Sequence, residues 1–368
     1  MQFTASHTAM LKALQAVSRG VSGRSTQAIQ SNILIEADEN RLTLTATDLE
    51  YICIEDTLDA LVREPGSVTV PAKFFQEITT AMSGSDITLS LDDNNKAVIT
   101  SGKSKYQCVT LPAKDYSKMP PIENAVSFTV PAEALHDALT GVLFAVSRDQ
   151  TRPILTGVLL TAIGDILRFV STDTYRLAMK DLPNIFDGDT QLNAIISRTA
   201  LAELVRLVNN RTDDVTVSIS DSMAQFVVGS VTVSTRLIEG QFVAYTKVIP
   251  ANNTVVVQCD VTDLSTALSR AMPVAREDAN RVVFKSDESM LCLSTSAQDV
   301  GTYEDDIAAD VNGVVETAFN AAYVMDMLNT VQGSVTMLFP EGQLGSAIIR
   351  PTGDESHTYV IMPMQIMT

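Results

Sequence analysis

Apolar positions along this chain fall into two rhythms that return at fixed intervals. Phe3-Thr4 is followed by Met10, Ala13 and Leu14. Phe128-Thr129 is followed by Leu135, Ala138 and Leu139, and Val257-Gln258 by Leu264, Ala267 and Leu268, at identical offsets. Each reads as a strand entering an amphipathic helix. Ile33-Leu34-Ile35 and Thr47-Asp48 return 125 residues later as Val158-Leu159-Leu160 and Thr172-Asp173, and Val282-Val283-Phe284 fills the strand position of a third copy. Each copy carries a related second half. Val68-Thr69-Val70, Ala194-Ile195-Ile196 and Val314-Val315-Glu316-Thr317 precede helical patterns at Phe74/Phe75/Ile78/Met82, Leu201/Leu204/Val205/Val208 and Val324/Met327/Leu328/Val331. Alternating strands follow at 87–91, 215–219 and 335–339, with polar turns at 92–95 and at Glu341-Gly342-Gln343. The pattern predicts a half-unit of strand, helix and β-meander, occurring six times. The fold class is therefore α+β, with three similar domains of two half-units each, at 1–124, 125–251 and 252–368.

One helix per half-unit covers one face of a sheet, so the helices are expected to segregate to that face. Domains joined edge to edge with a constant rotation are head-to-tail, and such a chain closes into a ring or runs on as a filament.

Composition changes the picture at one point. The chain has 368 residues, 45% apolar and 19% charged, which excludes disorder, and a formal charge of −18, which by itself argues against a nucleic-acid partner. The charge is unevenly spread. The six helical segments with their ends (7–19, 71–82, 131–148, 198–211, 262–276 and 320–330) hold nine basic and six acidic residues, a net +3 against −21 elsewhere. On one rim of a ring, those arginines and lysines form a basic lining that meets phosphates without reading bases. A second asymmetry lies in two strands: Lys103-Ser104-Lys105-Tyr106-Gln107-Cys108 is basic at its start, whereas residues 298–306, with Asp299, Glu304, Asp305 and Asp306, are acidic. Two such edges are complementary across a subunit contact.

Catalytic constellations are missing from the sequence. No phosphate loop, GxGxxG or HExxH occurs, His7, His136 and His357 are scattered, and Asp92-Asp93, Asp213-Asp214 and Asp305-Asp306 lack calcium-loop spacing. No metal, no cofactor and no enzymatic activity are expected. Four distant cysteines, no 18-residue apolar run and no secretory pattern at residues 1–7 predict reduced thiols, no membrane partner and a cytoplasmic protein. Met362, Met364 and Met367 fit either core filling or an adaptable peptide groove.

The stretches Ala46-Thr47-Asp48-Leu49-Glu50, Leu111-Pro112-Ala113-Lys114-Asp115-Tyr116, Ser171-Thr172-Asp173-Thr174-Tyr175-Arg176-Leu177-Ala178, Leu237-Ile238-Glu239-Gly240-Gln241-Phe242 and Tyr359-Val360-Ile361-Met362-Pro363-Met364 together resemble the bacterial DNA polymerase III beta subunit family, the replication sliding clamps. The resemblance spans essentially the whole chain. It implies three clamp domains per chain and a head-to-tail homodimer. That makes a six-domain ring, helices inside and sheets outside, around duplex DNA in the nucleoid. A clamp loader loads the ring, and it tethers the replicative polymerase and other proteins carrying a clamp-binding peptide. The resemblance further implies DNA contacts at Arg24, Lys73, Arg148, Gln150, Arg152, Arg198 and Arg206. It implies a peptide cleft between domains two and three, lined by Leu155, Thr172, Thr174, Tyr175, Arg176, Leu177, Val243, Lys247, Val248, Asn320, Tyr323, Ser346, Val360, Met362, Pro363 and Met364. The implied subunit contact joins Lys103, Lys105, Tyr106 and Cys108 to Met272, Pro273, Asp299 and Glu304. Val243 stands where many members carry Pro, Gln365 where Arg is usual, and Pro153-Ile154 where some carry aromatics. The other reading of the same cleft is a peptide-binding hub that forms no DNA ring.

Overall fold

Among the described residues, six amphipathic helices form where the 3.6-residue rhythm runs: α1 (His7–Val17), α2 (Ala72–Ala81), α3 (Ala132–Leu143), α4 (Arg198–Val208), α5 (Val261–Ala275) and α6 (Ala321–Leu328). The computed structural model describes residues 1–21, 27–49, 51–287, 289–341 and 345–366, so Arg24, Glu50, Gly342, Gln343 and Met367 lie outside the described residues. Asp260 caps α5, its Oδ1 accepting from the amides of Thr262 and Asp263, and the Asn320 side chain accepts from the Ala322 amide at the start of α6. Each supplies an acceptor for orphan first-turn amides. Pro273 lies inside α5, where it has no amide to offer the Ser269 carbonyl.

Each helix is preceded by one strand and followed by a three-stranded meander, as the repeats predict, but sheet membership differs from the chain order. In every domain the leading strand of one half-unit pairs with the first meander strand of the other. Gln2–Ser6 lies beside Asp86–Leu91, and Gly66–Pro71 beside Asn32–Asp38. The same exchange joins Val126–Pro131 to Asp214–Ile219, Asn193–Ser197 to Gly157–Ile163, Asn253–Asp260 to Ser334–Pro340 and Glu316–Asn320 to Arg281–Asp287. A strand kept beside its own meander across one helix would run parallel to it. The exchange keeps every described pairing antiparallel.

The described residues divide into two units, one of residues 1–136 and 199–237, the other of 137–198 and 238–368. The first unit holds a five-stranded sheet, ending in the edge strand Ser104–Cys108, and an eight-stranded sheet. The eight strands are two half-unit sheets joined by pairing of Cys53–Asp59 with Val231–Arg236. Helix α1 packs on Cys53–Asp59 and on α2, burying Met10, Leu14 and Phe75 with Phe3. The second unit holds a four-stranded sheet, ending in the edge strand Gly301–Ala308, and a nine-stranded sheet joined through Arg176–Leu182 and His357–Ile361. There α5 packs on Met290–Ala297 and on α6, over Phe284 and Phe319, whose rings meet edge to face at 5.4 Å.

The helices are shorter than the pattern suggested. α3 ends at Leu143, and Arg19, Arg148, Arg211 and Arg276 follow helix ends rather than lie within α-turns. The basic excess therefore sits just beyond helix C-termini, where the helix dipole favours cations.

His357 is buried in the second unit, its Nε2 2.8 Å from the Tyr359 hydroxyl. Gly141 makes room for it, since a Cβ there would lie 2.1 Å from that nitrogen. Burial, aided by Lys180, pulls the imidazole pKa down to about 4. The unfolded chain thus binds a proton near pH 6.5 that the folded chain refuses until about pH 4. Stability is expected to fall across that window as pH is lowered, by about 3 kcal/mol from this group. In urea titrations at pH 7 and pH 4.5, the loss on acidification should be smaller in His357→Gln than in the native chain. An equal loss in both would show that this imidazole is not held neutral.

Candidate functional site

A short loop and the chain's last strand build the site in the second unit. After Ile166–Thr172 the chain turns through residues 173–175. The Thr172 hydroxyl donates to the Arg176 carbonyl at 2.7 Å and accepts from the Thr174 amide, while Asp173 Oδ1 accepts from the amides of Tyr175 and Arg176. Thr174 sits at φ +83°. A β-branched residue in this left-handed region is strained by about 1–3 kcal/mol. The result is that Tyr175 stands 62% exposed beside the groove. The homologous turn of the first repeat uses the same device: Thr47 and Asp48 hold it, Leu49 takes the positive φ and Tyr51 is exposed.

Arg176 turns inward and is fixed on all sides. Its Nε donates to Asp173 Oδ2 at 3.0 Å, Nη1 to Asp326 Oδ2 at 2.7 Å and Nη2 to the Phe144 carbonyl at 2.8 Å. The guanidinium also lies 4.3 Å from the Tyr323 ring centroid and 5.3 Å from that of Phe144. Tyr323 and Tyr175 stack with centroids 6.4 Å apart. Burial pushes the Tyr323 phenol up, so it stays a neutral aromatic wall. Repetition of strand and helix carried no sign of Asp326 or Phe144 as Arg176's partners; only the acidic residue on the otherwise apolar stretch 321–328 could have hinted at one.

Beside this pair runs an apolar floor. Leu155, Leu177 and Val360 are buried in one cluster with Leu159, Val170, Met179, Ile195, Phe242 and Ile348, and Val243 and Tyr245 pack against it half-buried. Val248 and Met362 remain 42% exposed at its margin. The terminal segment is pinned by backbone bonds: the Met362 amide donates to the Tyr175 carbonyl at 2.9 Å, and the Met364 amide to the Ala318 carbonyl at 2.7 Å. Ser346 Oγ donates to Met362 Sδ. Lys247 is exposed, Thr172 buried, and Pro363, Met364 and Asn320 are half-buried. Met362 and Met364 thus line a surface, while Met367 is outside the described residues. The sequence list missed Phe242, although it ends the motif at 237–242.

Of the expected DNA-facing residues, Lys73 on α2 is 90% exposed at its side chain. Arg206 on α4 is exposed and pairs with Glu203. Arg148, Gln150, Arg152 and Arg198 are all exposed in the second unit, and Arg152 pairs with Asp149 at 3.0 Å. Of the expected subunit-contact residues, Lys105, Tyr106, Cys108 and Glu304 lie on edge strands, Lys103 and Asp299 in the turns before them, and Met272 and Pro273 on α5; Lys103 and Lys105 are exposed and Tyr106 and Cys108 half-buried, with Tyr106 edge-on to Phe74. Pro273, Asp299 and Glu304 are exposed and Met272 half-buried. Asp92 serves a turn, accepting from the amides of Asn94 and Lys96.

Three family models match in tandem, covering nearly the whole chain: the N-terminal, central and C-terminal domains of the DNA polymerase III beta subunit, at residues 1–120, 129–243 and 246–365. The chain is 30% identical to a beta sliding clamp of Staphylococcus aureus, over 99% of both proteins, and 32% identical to that of Synechocystis, over 96% of both. The crystal structure of the Bacillus subtilis DNA polymerase sliding clamp superimposes with a TM-score of 0.95 over the full length of both chains, at 26% identity. With three tandem clamp domains and relatives matched end to end, the chain belongs to the DNA polymerase III beta subunit family, the bacterial beta sliding clamps.

Proposed function

We propose that this protein is a non-catalytic processivity factor. Two copies join head to tail into a six-domain ring that encircles duplex DNA in the bacterial cytoplasm, and a groove on each copy holds short peptide segments of the replicative polymerase, the clamp loader and other DNA-processing proteins. Domain boundaries near 124/125 and 251/252 follow from the repeats. Confinement on DNA raises a polymerase's effective concentration at the template without tight or base-specific contact. Lys73, Arg148, Gln150, Arg152, Arg198 and Arg206, with Arg24, are the residues proposed to meet phosphates. The apolar floor of Leu155, Leu177 and Val360, flanked by Tyr175, Tyr323, Met362 and Met364, is the proposed groove.

One observation carries the ring: the two sheet-to-sheet joins within the chain use the same register. Cys53 lies opposite Ser234 and Leu177 opposite Val360. These are equivalent positions, since the ladders Leu34–Thr45–Glu55 and Leu159–Val170–Met179 correspond. Of the six third-meander strands, four are used in these joins. Ser104–Cys108 and Gly301–Ala308 are left as sheet edges. Thr302 corresponds to Cys53 through the ladder Val283–Ser294–Glu304, and Gln107 corresponds to Ser234 through the matching pairs Ala97–Cys108 and Ala224–Thr235. The shared register then sets Gln107 of one copy against Thr302 of the next, Lys105 against Glu304 and Lys103 against Asp306. Light scattering at micromolar concentration should give the mass of two chains. A stable single chain would favour the peptide-binding hub instead.

A further inference from the structure

The three repeats carry one strand-face site in three versions. In the second repeat the ladder Leu159–Val170–Met179 belongs to the apolar floor of the groove. In the first, Leu34–Thr45–Glu55 takes its place, and Tyr116 is buried there, its hydroxyl donating to the carbonyls of Asn32 and Thr45 at 3.4 and 3.3 Å. In the third, Val283–Ser294–Glu304 lines a polar pocket of about 420 Å³ with Asp278, Arg281, Ser296 and Thr302. The chemistry of this pocket is incomplete. The Arg281 side chain is 11% exposed, yet its Nε and Nη1 have no hydrogen-bond partner, and its Nη2 meets Asp278 Oδ1 at 3.4 Å. Charge is nevertheless balanced once two copies meet. Asp278 offsets Arg281, and the register derived above sets Glu304 against Lys105 of the next copy. A neutral group that both accepts and donates therefore suits the pocket better than an ion.

We propose that this pocket is a socket for the Gln107 carboxamide of a second copy, so that the site is completed only when two chains join. The inference rests on the ring reading, whose register sets Gln107 directly opposite Thr302. Opposed residues on adjacent strands share a face. In both internal joins the counterpart of Gln107 is buried: Val360, 2% exposed, in the apolar floor, and Ser234, 7% exposed, opposite Cys53. Gln107 itself is exposed in the single chain, where its Nε2 donates to Asp92 Oδ2 at 2.6 Å. Docking exchanges that bond for the hydroxyls of Ser296 and Thr302 and gives the Arg281 guanidinium an acceptor to turn towards. A hydrogen bond from a charged donor is stronger than one between neutral groups. The reach is sufficient. Three strand spacings, about 14 Å, separate the two backbones, and the two long side chains cover that span between them. The next position in the register supports the same placement. Val109 and Val300, 68% and 54% exposed, come opposite each other there. Their counterparts in the second join are Met362 and Tyr175, where the Met362 amide donates to the Tyr175 carbonyl.

The test is a double-mutant cycle on the full chain, with dissociation of the paired form read by sedimentation over a dilution series. Gln107→Ala removes the carboxamide and Arg281→Met its charged donor. Each should raise dissociation about tenfold per contact, or about 100-fold for a ring with two contacts. The double variant should match the single ones, because all three remove the same interaction. If Arg281→Met fails to fold, Thr302→Val takes its place in the cycle under the same criterion. A Gln107→Ala protein that pairs as tightly as the native one would overturn the proposal and leave the ring reading standing, as would single effects that multiply in the double variant. A native chain that stays single would overturn the ring reading and this proposal with it.

Discussion

Reversing Lys103 and Lys105 to Glu leaves the protein as single chains at concentrations where the native protein is paired, and adding Glu304→Lys and Asp306→Lys to the same chain restores the pair. The expectation comes from the register shared by the two internal sheet joins. Carried to the unpaired edges, it opposes Lys105 to Glu304 and Lys103 to Asp306, all four exposed in the isolated chain. A directly opposed charge pair on adjacent strands contributes roughly 0.2–1 kcal/mol, and like charges cost a similar amount. Reversing two pairs therefore weakens each contact by about 1–4 kcal/mol, and a closed ring has two such contacts. Dissociation should rise by about 30-fold or more. The backbone ladder is untouched by these substitutions, so the quadruple variant recovers both hydrogen bonds and charge matching. Light scattering reads both outcomes. A double variant that stays paired, or a quadruple variant that stays single, would mean the strands meet in another register.

Truncating the groove is expected to abolish peptide binding and leave the pairing of chains intact. Leu177 is 2% exposed and packs with Leu155, Val360 and Phe242. Leu177→Ala removes the floor against which an apolar anchor would pack, and a buried anchor site of this kind is worth about 2–4 kcal/mol of binding. The affinity for a Gln-containing apolar peptide should drop at least about 30-fold. Because Leu177 also belongs to the core, its truncation costs about 2–5 kcal/mol of stability. Met364→Ala is the cleaner partner variant. Met364 is half-buried, and its placement comes from its amide bond to the Ala318 carbonyl, which the substitution keeps. Normal peptide affinity in both variants would remove these residues from the groove.

The elements were legible because their signal is local. Met10 and Leu14, or Phe75 and Ile78, repeat at helical spacing, and that spacing needs no knowledge of the rest of the chain. Sheet membership was not legible in the same way. Nothing within Gln2–Ser6 says that it pairs with Asp86–Leu91, more than 80 residues away, rather than with its own meander. That choice follows from keeping every pairing antiparallel, a property of the whole sheet. Helix ends were overshot at Leu143 because the apolar rhythm continues through Ala145 and Val146, which are buried but no longer helical.

The candidate site divides along the same line. Its apolar floor follows from strand alternation, and the Thr-Asp turn from its repetition at 47–48 and 172–173. The identity of the groove residues came from resemblance to a family. The charge arrangement around Arg176 was invisible, because Arg176 begins a strand and Asp326 lies on α6, 150 residues distant. The net charge of −18 had the opposite fault: it is real, but an average over a chain whose helical segments and their ends carry a net +3 against −21 elsewhere.

The central claim is that the protein stays on DNA because it surrounds it. Loaded by the clamp loader onto closed circular DNA, it should remain bound through gel filtration at salt concentrations that abolish ordinary phosphate contacts. It should then be lost within minutes once the circle is cut at a single site. Retention that is indifferent to linearisation and falls only as salt is raised would contradict the account.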